Sequence, residues 1–473
     1  MAYKDLREFL SVLEKEKQLL NITEQVKPEP DISAATAAAN KLTSTPALLF
    51  HDIDGYNNKV VMNIHGSWEN HALMLNLDKS TPLKDQFHEM NSRWHQYPVN
   101  PIQVETAPCK ENIIDKNINL FEVLSPFRVN NNDGGFYISK AAIVSRDPEY
   151  PENDDKQNVG IYRLQVTGKD TLSIQPSAFH DIGIHFSKAE KNNEPLDIAI
   201  TVGNEPVISL MASTPLAYEQ SEYKMAGAIQ NEPYKIIKAE TSNLDIPAGA
   251  EIVLEGKIYP NERVVEGPFG EFPGSYSGSH KQPTVKIHTI THRNNPIFEN
   301  LYVGVPWTEV DYLIALNTSV PVYQQLKKEF PEVEAVNAMY THGIGLILSV
   351  KSRFGGFAKA VANRVFSTPH GMPFTKVVIV VDELVDPFDL NQVMWAMTVR
   401  VDPAKDVQIL TNMPGVGLDP TSNPSGISSK MIIDATTPVA PAQLLEDTNL
   451  IELPEGHEEW LNKLTNLLKD AKK

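Results

Sequence analysis

The sequence is almost without cysteine: Cys109 is the single one among 473 residues. One thiol excludes an intramolecular disulfide and a thiolate metal cluster. Any bound metal must therefore take oxygen and imidazole ligands, which suit Mn²⁺, Mg²⁺ or Fe²⁺ better than structural zinc.

Long apolar runs and basic runs are also missing. The longest run typical of a buried strand, residues 377–381, is far too short to span a bilayer, and the first residues contain no apolar signal segment. The chain has 42 Lys and Arg against 60 Asp and Glu, a formal net charge of −18. These features predict a cytoplasmic protein whose main partner is neither nucleic acid nor membrane. An anionic small substrate is not excluded, because it needs only a local cationic pocket.

The common phosphate-binding and nucleophile motifs are absent as well. The sequence has no Gly-x-Gly-x-x-Gly, no Walker A loop and no Gly-x-Ser-x-Gly elbow. A nucleotide phosphate would have to be held by a metal and by scattered Lys or Arg. Lys376, just ahead of the apolar run 377–381, is a candidate, although lysines that flank strands are ordinary.

The periodicity of apolar residues predicts a mixed architecture. After Asp5, a plausible helix start, an apolar stripe with helical spacing predicts an amphipathic first helix. Its residues are Leu6, Phe9, Leu10 and Leu13. Residues 32–42 predict a second, Ala-rich helix, and residues 47–50 and 59–62 predict short strands. This beginning is typical of an α/β unit.

The pattern changes along the chain. From about residue 120, short β-branched runs broken by Gly, Asn and Pro predict an antiparallel sheet or barrel, and after about residue 313 helices again alternate with strands. A last helix has an apolar stripe that needs a covering surface; its members are Trp460, Leu464, Leu467 and Leu468. We expect an N-terminal α/β domain (1–115), a central β domain (116–312), a C-terminal α/β domain (313–450) and a terminal helix (451–473).

The most conspicuous stretch is residues 266–278, Glu-Gly-Pro-Phe-Gly-Glu-Phe-Pro-Gly-Ser-Tyr-Ser-Gly. Its glycines and prolines predict a sharply bent segment that is neither helix nor regular strand. Such a bend can direct Glu266 and Glu271 into one small volume, where an enclosed carboxylate pair splits into an acid and an ionised group. The alternative is a surface turn with two solvated glutamates.

Three further places could contribute to a site. Residues 158–163, Asn-Val-Gly-Ile-Tyr-Arg, put Arg163 among apolar neighbours, where a guanidinium would bind a carboxylate by two parallel hydrogen bonds. The alternative is a solvated arginine on the outer face of a strand. His180 and Glu222 are isolated candidates for a metal site with oxygen and imidazole ligands, but neither lies in a recognised spacing motif.

Taken together, these segments resemble the UbiD-like decarboxylases, and most closely the large catalytic subunit of bacterial hydroxybenzoate (phenolic acid) decarboxylases. The resemblance covers nearly the whole chain. Its specific motifs are residues 158–163, Ser221-Glu-Tyr223 with the following Ala-Gly, and residues 266–271. Residues 296–298, 304–307 and 394–400 add support.

The resemblance implies a fold, cofactors and site residues. The fold is an N-terminal α/β domain, a central split β-barrel like that of flavin reductases, and a C-terminal α/β domain with a terminal oligomerisation helix. The cofactors are prenylated FMN, a divalent metal such as Mn²⁺, and K⁺. The implied metal ligands are Asn158, His180 and Glu222, with Asp434 and the carbonyl of Arg400 near K⁺. The implied cofactor-binding residues are Asn158, Ile161, Tyr162, Arg163, His180, Glu222 and Lys376, and the catalytic residues are Arg163, Glu266 and Glu271.

The implied activity is a reversible, non-oxidative decarboxylation of a phenolic acid to a phenol and CO₂. Arg163 would orient the substrate carboxylate, Glu266 would pair with Arg163, and Glu271 would donate the proton that replaces CO₂. The implied partners are an aromatic carboxylic acid, a flavin prenyltransferase that supplies the cofactor, a small accessory subunit, and further copies in a dimer or hexamer. The alternatives are an acrylic or polyprenylated hydroxybenzoate substrate, or a catalytically silent scaffold.

One segment departs from close family members. Where they carry a His that could touch a substrate hydroxyl, residues 427–430 here read Ile-Ser-Ser-Lys, with only the short hydroxyls of Ser428 and Ser429. The preferred phenolic acid therefore stays open among 4-hydroxybenzoate, vanillate, protocatechuate and gallate.

Overall fold

The computed structural model describes residues 2–177, 180–218, 220–340, 343–423, 425–438, 451 and 453–471. The helices of this part are α1 (Leu6–Lys15), α2 (Asp31–Ala39), α3 (Trp68–Met74), α4 (Leu83–Trp94), α5 (Leu120–Val123), α6 (Asp181–Lys191), α7 (Pro206–Ala212), α8 (Glu222–Gln230), α9 (Glu309–Glu329), α10 (Phe357–Val365), α11 (Leu390–Arg400), α12 (Pro403–Asp406) and α13 (His457–Ala471).

The strands are β1 (Leu19–Ile22), β2 (Ala47–Phe50), β3 (Lys59–Met62), β4 (Ile102–Gln103), β5 (Asn112–Ile114), β6 (Phe136–Ile138), β7 (Ala142–Arg146), β8 (Gln157–Ile161), β9 (Leu164–Val166), β10 (Thr171–Ile174), β11 (Leu196–Val202), β12 (Lys235–Lys238), β13 (Asp245–Pro247), β14 (Ile252–Glu266), β15 (His280–His292), β16 (Ile297–Glu299), β17 (Val333–Tyr340), β18 (Gly345–Val350), β19 (Val377–Asp382), β20 (Val407–Pro414) and β21 (Ile427–Asp434).

The N-terminal part forms as its pattern predicts. Asp5 caps α1 by accepting a hydrogen bond from the backbone N–H of Glu8 at 2.9 Å, and the four predicted apolar residues of α1 are buried. Strands β2 and β3 have the predicted bounds and pair antiparallel in a four-stranded sheet of order β1-β2-β3-β16. Strand β16 reaches this sheet from residue 297 onward, so the N-terminal sheet is completed by a much later part of the chain.

The central part is built on a nine-stranded antiparallel sheet of order β6-β9-β10-β15-β14-β11-β7-β8, with β5 added on β15. Strand β8 is at one edge and β9 lies next to the other edge, yet only Tyr162 and Arg163 separate these strands in sequence. The three Cα–Cα steps from Ile161 to Leu164 span at most about 11 Å. The sheet must therefore curl until its edges meet, which produces a seam in an open barrel.

The C-terminal part is an α/β layer. Its five-stranded sheet has the order β17-β18-β19-β21-β20, in which β18, β19 and β21 run parallel. The helix α9, whose start is closed by a Thr308–Asp311 capping box, packs on β17 and carries the chain from the barrel to this layer. A separate apolar core lies beneath α10 on this sheet.

The mixed α/β multidomain fold with a curled central sheet confirms the predicted fold class. Two details differ from the expectation. Glu266 is the last residue of strand β14 rather than part of the bend. Strand β5, expected in the N-terminal domain, pairs in the central sheet, and strand β16, expected in the central domain, pairs in the N-terminal sheet. The domain limits at residues 115, 312 and 450 stay a prediction. No helix in the described ranges is long and apolar enough to cross a membrane.

Candidate active site

Arg163 lies at the seam of the barrel, in the two-residue link between β8 and β9. Its side chain is buried between two glutamates that come from the end of β14 and the bend after it. Nε and Nη2 of Arg163 donate to the Glu266 carboxylate at 3.0 and 2.8 Å, and Nη1 donates to Oε1 of Glu271. The structure thus brings all three predicted catalytic residues into one cluster.

Burial decides between the alternatives that the sequence left open for these groups. Only 1% of Glu266 is exposed and 8% of Arg163, so neither is a solvated surface group. The guanidinium also lies over the ring of Phe269, 5.4 Å from its centre. A buried ion pair of this geometry is held firmly, because both oxygens of Glu266 accept from one planar fork of donors.

The bend that carries Glu271 is fixed by its own backbone. Gly267 and Gly274 adopt positive φ values of +89° and +85°, a region that favours glycine. The backbone N–H of Glu271 donates to the carbonyl of Ser275 at 2.9 Å, and Asp133 accepts from the N–H of Gly270 at 2.9 Å. Glu271 is therefore presented from a closed turn, as the sequence predicted.

A second cluster surrounds Tyr162, the neighbour of Arg163. Asn158, on β8, donates to the Tyr162 hydroxyl at 3.2 Å, and the His180 ring lies 5.5 Å from the Tyr162 ring. Glu222, the first residue of α8, accepts from the backbone N–H of Val159 on the same strand at 3.1 Å. The three predicted metal ligands thus lie around one strand and one aromatic ring.

Gly160 is required by this arrangement. A Cβ atom at this position would lie 2.3 Å from the Tyr162 hydroxyl, so any side chain would displace the ring. Ile161, between them, is the half-buried end of β8. The glycine of the 158–163 motif therefore serves the packing of Tyr162 rather than a phosphate loop.

The donor set of this cluster fits a divalent cation. It offers an amide oxygen, an imidazole and a carboxylate, and the buried Nδ1 of His180 has no hydrogen-bond partner among the described residues. Burial, with a smaller contribution from Asp181, raises the pKa of Glu222 to about 8, and burial raises the pKa of Asp181 to about 6. Among the described residues, neither carboxyl forms an ion pair with a positive group, and a metal ion would supply that charge.

Three other predicted residues lie on the C-terminal layer. Lys376 donates to Asp419 at 3.0 Å. Arg400, at the end of α11, donates to Asp382 at 2.6 Å, and Asp434 ends β21. Among the described residues, no contact connects these three groups with the Tyr162 cluster, and their cofactor and potassium roles stay predictions.

Some polar groups near the site were not predicted. Tyr137, on β6, donates its hydroxyl to Glu266 at 2.9 Å. A buried group also joins Lys140 to Glu299 and Glu309, each at 2.6 Å, with His65 beside them. Burial raises the pKa of Glu309. The neighbouring Lys140 and His65 outweigh this effect and lower the pKa of Glu309 to about 2. No sequence motif marks these residues, since their partners lie more than 70 positions away.

The acidic and imidazole groups of this buried set would suit a metal by composition. In the described ranges, His65, Glu299 and Glu309 are the three residues with suitably spaced ligand atoms. However, the Lys140 ammonium already lies between both carboxylates and supplies the positive charge. We therefore interpret this set as a structural ion cluster.

Family models match three successive parts of the chain. They are the 3-octaprenyl-4-hydroxybenzoate carboxy-lyase N-terminal domain at residues 10–90, the Rift-related domain at residues 101–306 and the C-terminal domain at residues 311–435. The phenolic acid decarboxylase of Sedimentibacter hydroxybenzoicus is 60% identical over 474 residues, covering 99% of both chains. That of Bacillus subtilis (strain 168) is 56% identical, covering 99% of this chain and 100% of the relative.

Solved structures agree with the sequence comparisons. The vanillic acid decarboxylase of S. hydroxybenzoicus in its closed form superposes with a TM-score of 0.92 at 60% identity, covering 99% of this chain and 100% of that one. HmfF from Pelotomaculum thermopropionicum, described as a UbiD-class enzyme in complex with FMN, gives 0.84 at 32% identity, covering 96% and 98%. An evolved dimeric form of HmfF is described with prenylated FMN. On these matches, the chain belongs to the UbiD family of decarboxylases.

Proposed function

We propose that this chain is a prenylated-FMN-dependent carboxy-lyase that interconverts a hydroxybenzoic-type acid with the corresponding phenol and CO₂. The observation that carries the proposal is the buried Arg163 held between Glu266 and Glu271. A guanidinium with two carboxylates in one buried volume can bind an aromatic carboxylate and supply a proton, and a scaffold protein has no need of either.

The chemistry is difficult because the electrons left by departing CO₂ lie in the plane of the ring and cannot delocalise. Prenylated FMN, when bound, supplies an electron sink for the ring carbon that loses CO₂. Asn158, His180 and Glu222 would hold a divalent ion such as Mn²⁺ near the cofactor phosphate, in a chain without a glycine-rich phosphate loop. K⁺ would add to this charge, and a flavin prenyltransferase would supply the cofactor.

The remaining steps are assigned to the Arg163 cluster. Arg163 orients the substrate carboxylate, and Glu266 keeps the guanidinium in place through its two hydrogen bonds. Glu271 donates the proton that takes the place of CO₂ on the ring carbon. Because a salt-bridged carboxylate is a poor proton donor, we infer that the substrate carboxylate displaces Glu271 from Nη1 of Arg163 and so frees it to carry a proton.

The substrate class follows the relatives named above, which are described as phenolic acid and vanillic acid decarboxylases. Ser428, half-buried, and Ser429, exposed, lie at the start of β21 and offer only short hydroxyls to a ring substituent. The ring substitution pattern is therefore left to experiment. The exposed side chains of α13 support assembly into a homo-oligomer.

The decisive experiment measures isotope exchange. The chain is co-expressed with a flavin prenyltransferase, its cofactor is identified by absorbance and mass, and it is incubated with ¹³C-bicarbonate and single acids. We expect ¹³C in the carboxyl group of a hydroxybenzoic acid. Exchange only with an acrylic or polyprenylated acid would change the substrate class, and cofactor-loaded protein without any exchange would refute the proposal.

The matched control is Glu190→Gln. Glu190 is also paired with an arginine, Arg263 at 2.7 Å, but this pair is partly exposed on the outside of the barrel. Its variant should exchange ¹³C and release phenol like the parent protein, whereas Glu271→Gln should release little phenol because it lacks the proton donor.

A further inference from the structure

The Glu266 carboxylate has a third hydrogen-bond donor besides the two nitrogens of Arg163. Tyr137, fully buried on β6, donates its hydroxyl to Oε1 of Glu266 at 2.9 Å. This is the same oxygen that accepts from Nε of Arg163 at 3.0 Å, while Oε2 accepts from Nη2 at 2.8 Å. The hydroxyl therefore lies on the Nε side of the ion pair.

Tyr137 is held in place from several directions. Its ring packs on Phe269, with 4.4 Å between ring centres, and Phe269 in turn lies beneath the Arg163 guanidinium. Its carbonyl accepts from the side chain of Asn300 at 3.1 Å, and Asn300 also accepts from the backbone and hydroxyl of Ser139. Three residues after Tyr137, Lys140 is held by ion pairs with the buried carboxylates of Glu299 and Glu309. The hydroxyl is thus a rigid donor.

The protonation state of the hydroxyl agrees with this role. Burial and the neighbouring Glu266 raise the pKa of Tyr137 above its ordinary value. The phenol therefore keeps its proton across the physiological range and always donates.

An arginine offers a carboxylate two edges for bidentate binding, one formed by Nε and Nη2 and the other by Nη1 and Nη2. Glu266 occupies the first edge, and this leaves Nη1 to Glu271. If Glu266 moved to the second edge, it would take the nitrogen that a substrate carboxylate needs. In the structure, the Tyr137 hydroxyl is bonded to Oε1 of Glu266, the oxygen that Nε of Arg163 holds on the first edge.

We propose that Tyr137 is a positioning residue that holds Glu266 on the Nε–Nη2 edge of Arg163 and so keeps Nη1 available for the substrate carboxylate. The expected effect of Tyr137 on substrate binding rests on the proposed function. The expected effect of Tyr137 on the position of Glu266 does not, because it concerns the protein alone.

The variant Tyr137→Phe removes the hydroxyl and keeps the ring that packs on Phe269. With Glu266 free to compete for Nη1, we expect KM for the acid to rise about tenfold, the value of one hydrogen bond to a charged group. The kcat should change less than about threefold, because bound substrate itself excludes Glu266 from Nη1. A merely structural defect would instead lower the active fraction, and therefore kcat, without raising KM.

The control is Tyr3→Phe, which removes another tyrosine hydroxyl bond, that of half-buried Tyr3 to the carbonyl of Leu73 at 2.6 Å, in the N-terminal part. It should leave KM unchanged. An unchanged KM in Tyr137→Phe, or a fall in kcat alone, would overturn the inference.

A crystal structure of cofactor-free Tyr137→Phe gives a second readout that does not depend on activity. We expect Glu266 to contact Nη1 of Arg163 in the variant and the Nε–Nη2 edge in the parent. A Glu266 that stays on the Nε–Nη2 edge would overturn the inference. If the parent protein turned over no acid, the proposed function would fail, and this structure would still decide the role of Tyr137.

Discussion

Replacing Arg163 by alanine should destabilise the central barrel as well as the site. Of the three donors to the Glu266 carboxylate, the variant removes two and leaves only Tyr137. Only 1% of Glu266 is exposed, so bulk water cannot solvate the carboxylate that has lost its cation. Breaking a buried ion pair by removing one partner costs about 3–5 kcal/mol.

A chain of this size does not unfold in a single step, so the assay must be local. Native-state hydrogen exchange, followed on peptides that cover β14 (Ile252–Glu266), reports the opening of the strand that carries Glu266. A loss of 3–5 kcal/mol corresponds to exchange that is about 10² to 10⁴ times faster, since 1.4 kcal/mol is a factor of ten. The measurement is made on cofactor-free protein, so that it is independent of the proposed chemistry.

Two variants make the comparison sharp. Arg263→Ala removes an arginine from the same strand, but its pair with Glu190 is partly exposed and is worth at most about 1 kcal/mol. The double variant Arg163→Ala/Glu266→Gln also removes the buried charge of Glu266 and should exchange more slowly than Arg163→Ala alone. If Arg163→Ala exchanged no faster than Arg263→Ala, the buried pair would not stabilise β14 and the reasoning would be refuted.

Three further predictions concern the chemistry and the assembly. Glu271→Gln keeps the shape of the side chain but cannot donate a carboxylic proton. The kcat should therefore fall by about 10² to 10⁴ while substrate still binds. Near-normal turnover with every acid would exclude Glu271 as the proton donor. Glu222→Ala removes a proposed metal ligand and should lose flavin, measured by absorbance and mass after purification; full flavin occupancy in metal-free buffer would contradict the metal assignment. Truncation after Leu453 removes α13, and this helix has four large apolar side chains that are each at least 50% exposed: Trp460, Leu461, Leu464 and Leu467. The truncation should therefore shift the sedimentation coefficient toward that of the monomer. An unchanged value would exclude α13 from the interface.

Local patterns predicted the elements that depend on local forces. The stripe of α1 and its Asp5 cap lie within one helix, and the bounds of β2 and β3 follow from short apolar runs between turns. The stripe of the terminal helix was also visible, and α13 presents it on its surface; Leu468 lies where side chains are outside the described part of the structure. In each case the signal and the structure occupy the same short segment of the chain.

Pairings between distant segments could not be predicted in this way. Strand β14 continues to Glu266 because β15 pairs with it as far as His280, and two irregularities in the pairing shift the register on the way. Strand β16 joins β3 across more than 200 residues, and Tyr137 finds Glu266 across 129. These contacts depend on how the whole sheet curls. No short segment of the sequence has a periodicity that predicts this curl.

The seam of the barrel explains why two clusters of different chemistry lie so near each other. Asn158 belongs to the proposed metal cluster and Arg163 to the acid cluster, and a single segment of five further residues joins them. An extended chain of that length spans at most about 18 Å. One backbone segment therefore sets the distance between the proposed metal site and the proposed site for the substrate carboxylate. A ligand with a phosphate at one end and a reactive ring at the other, lying along β8, would meet both clusters, while their distance would not depend on mobile loops.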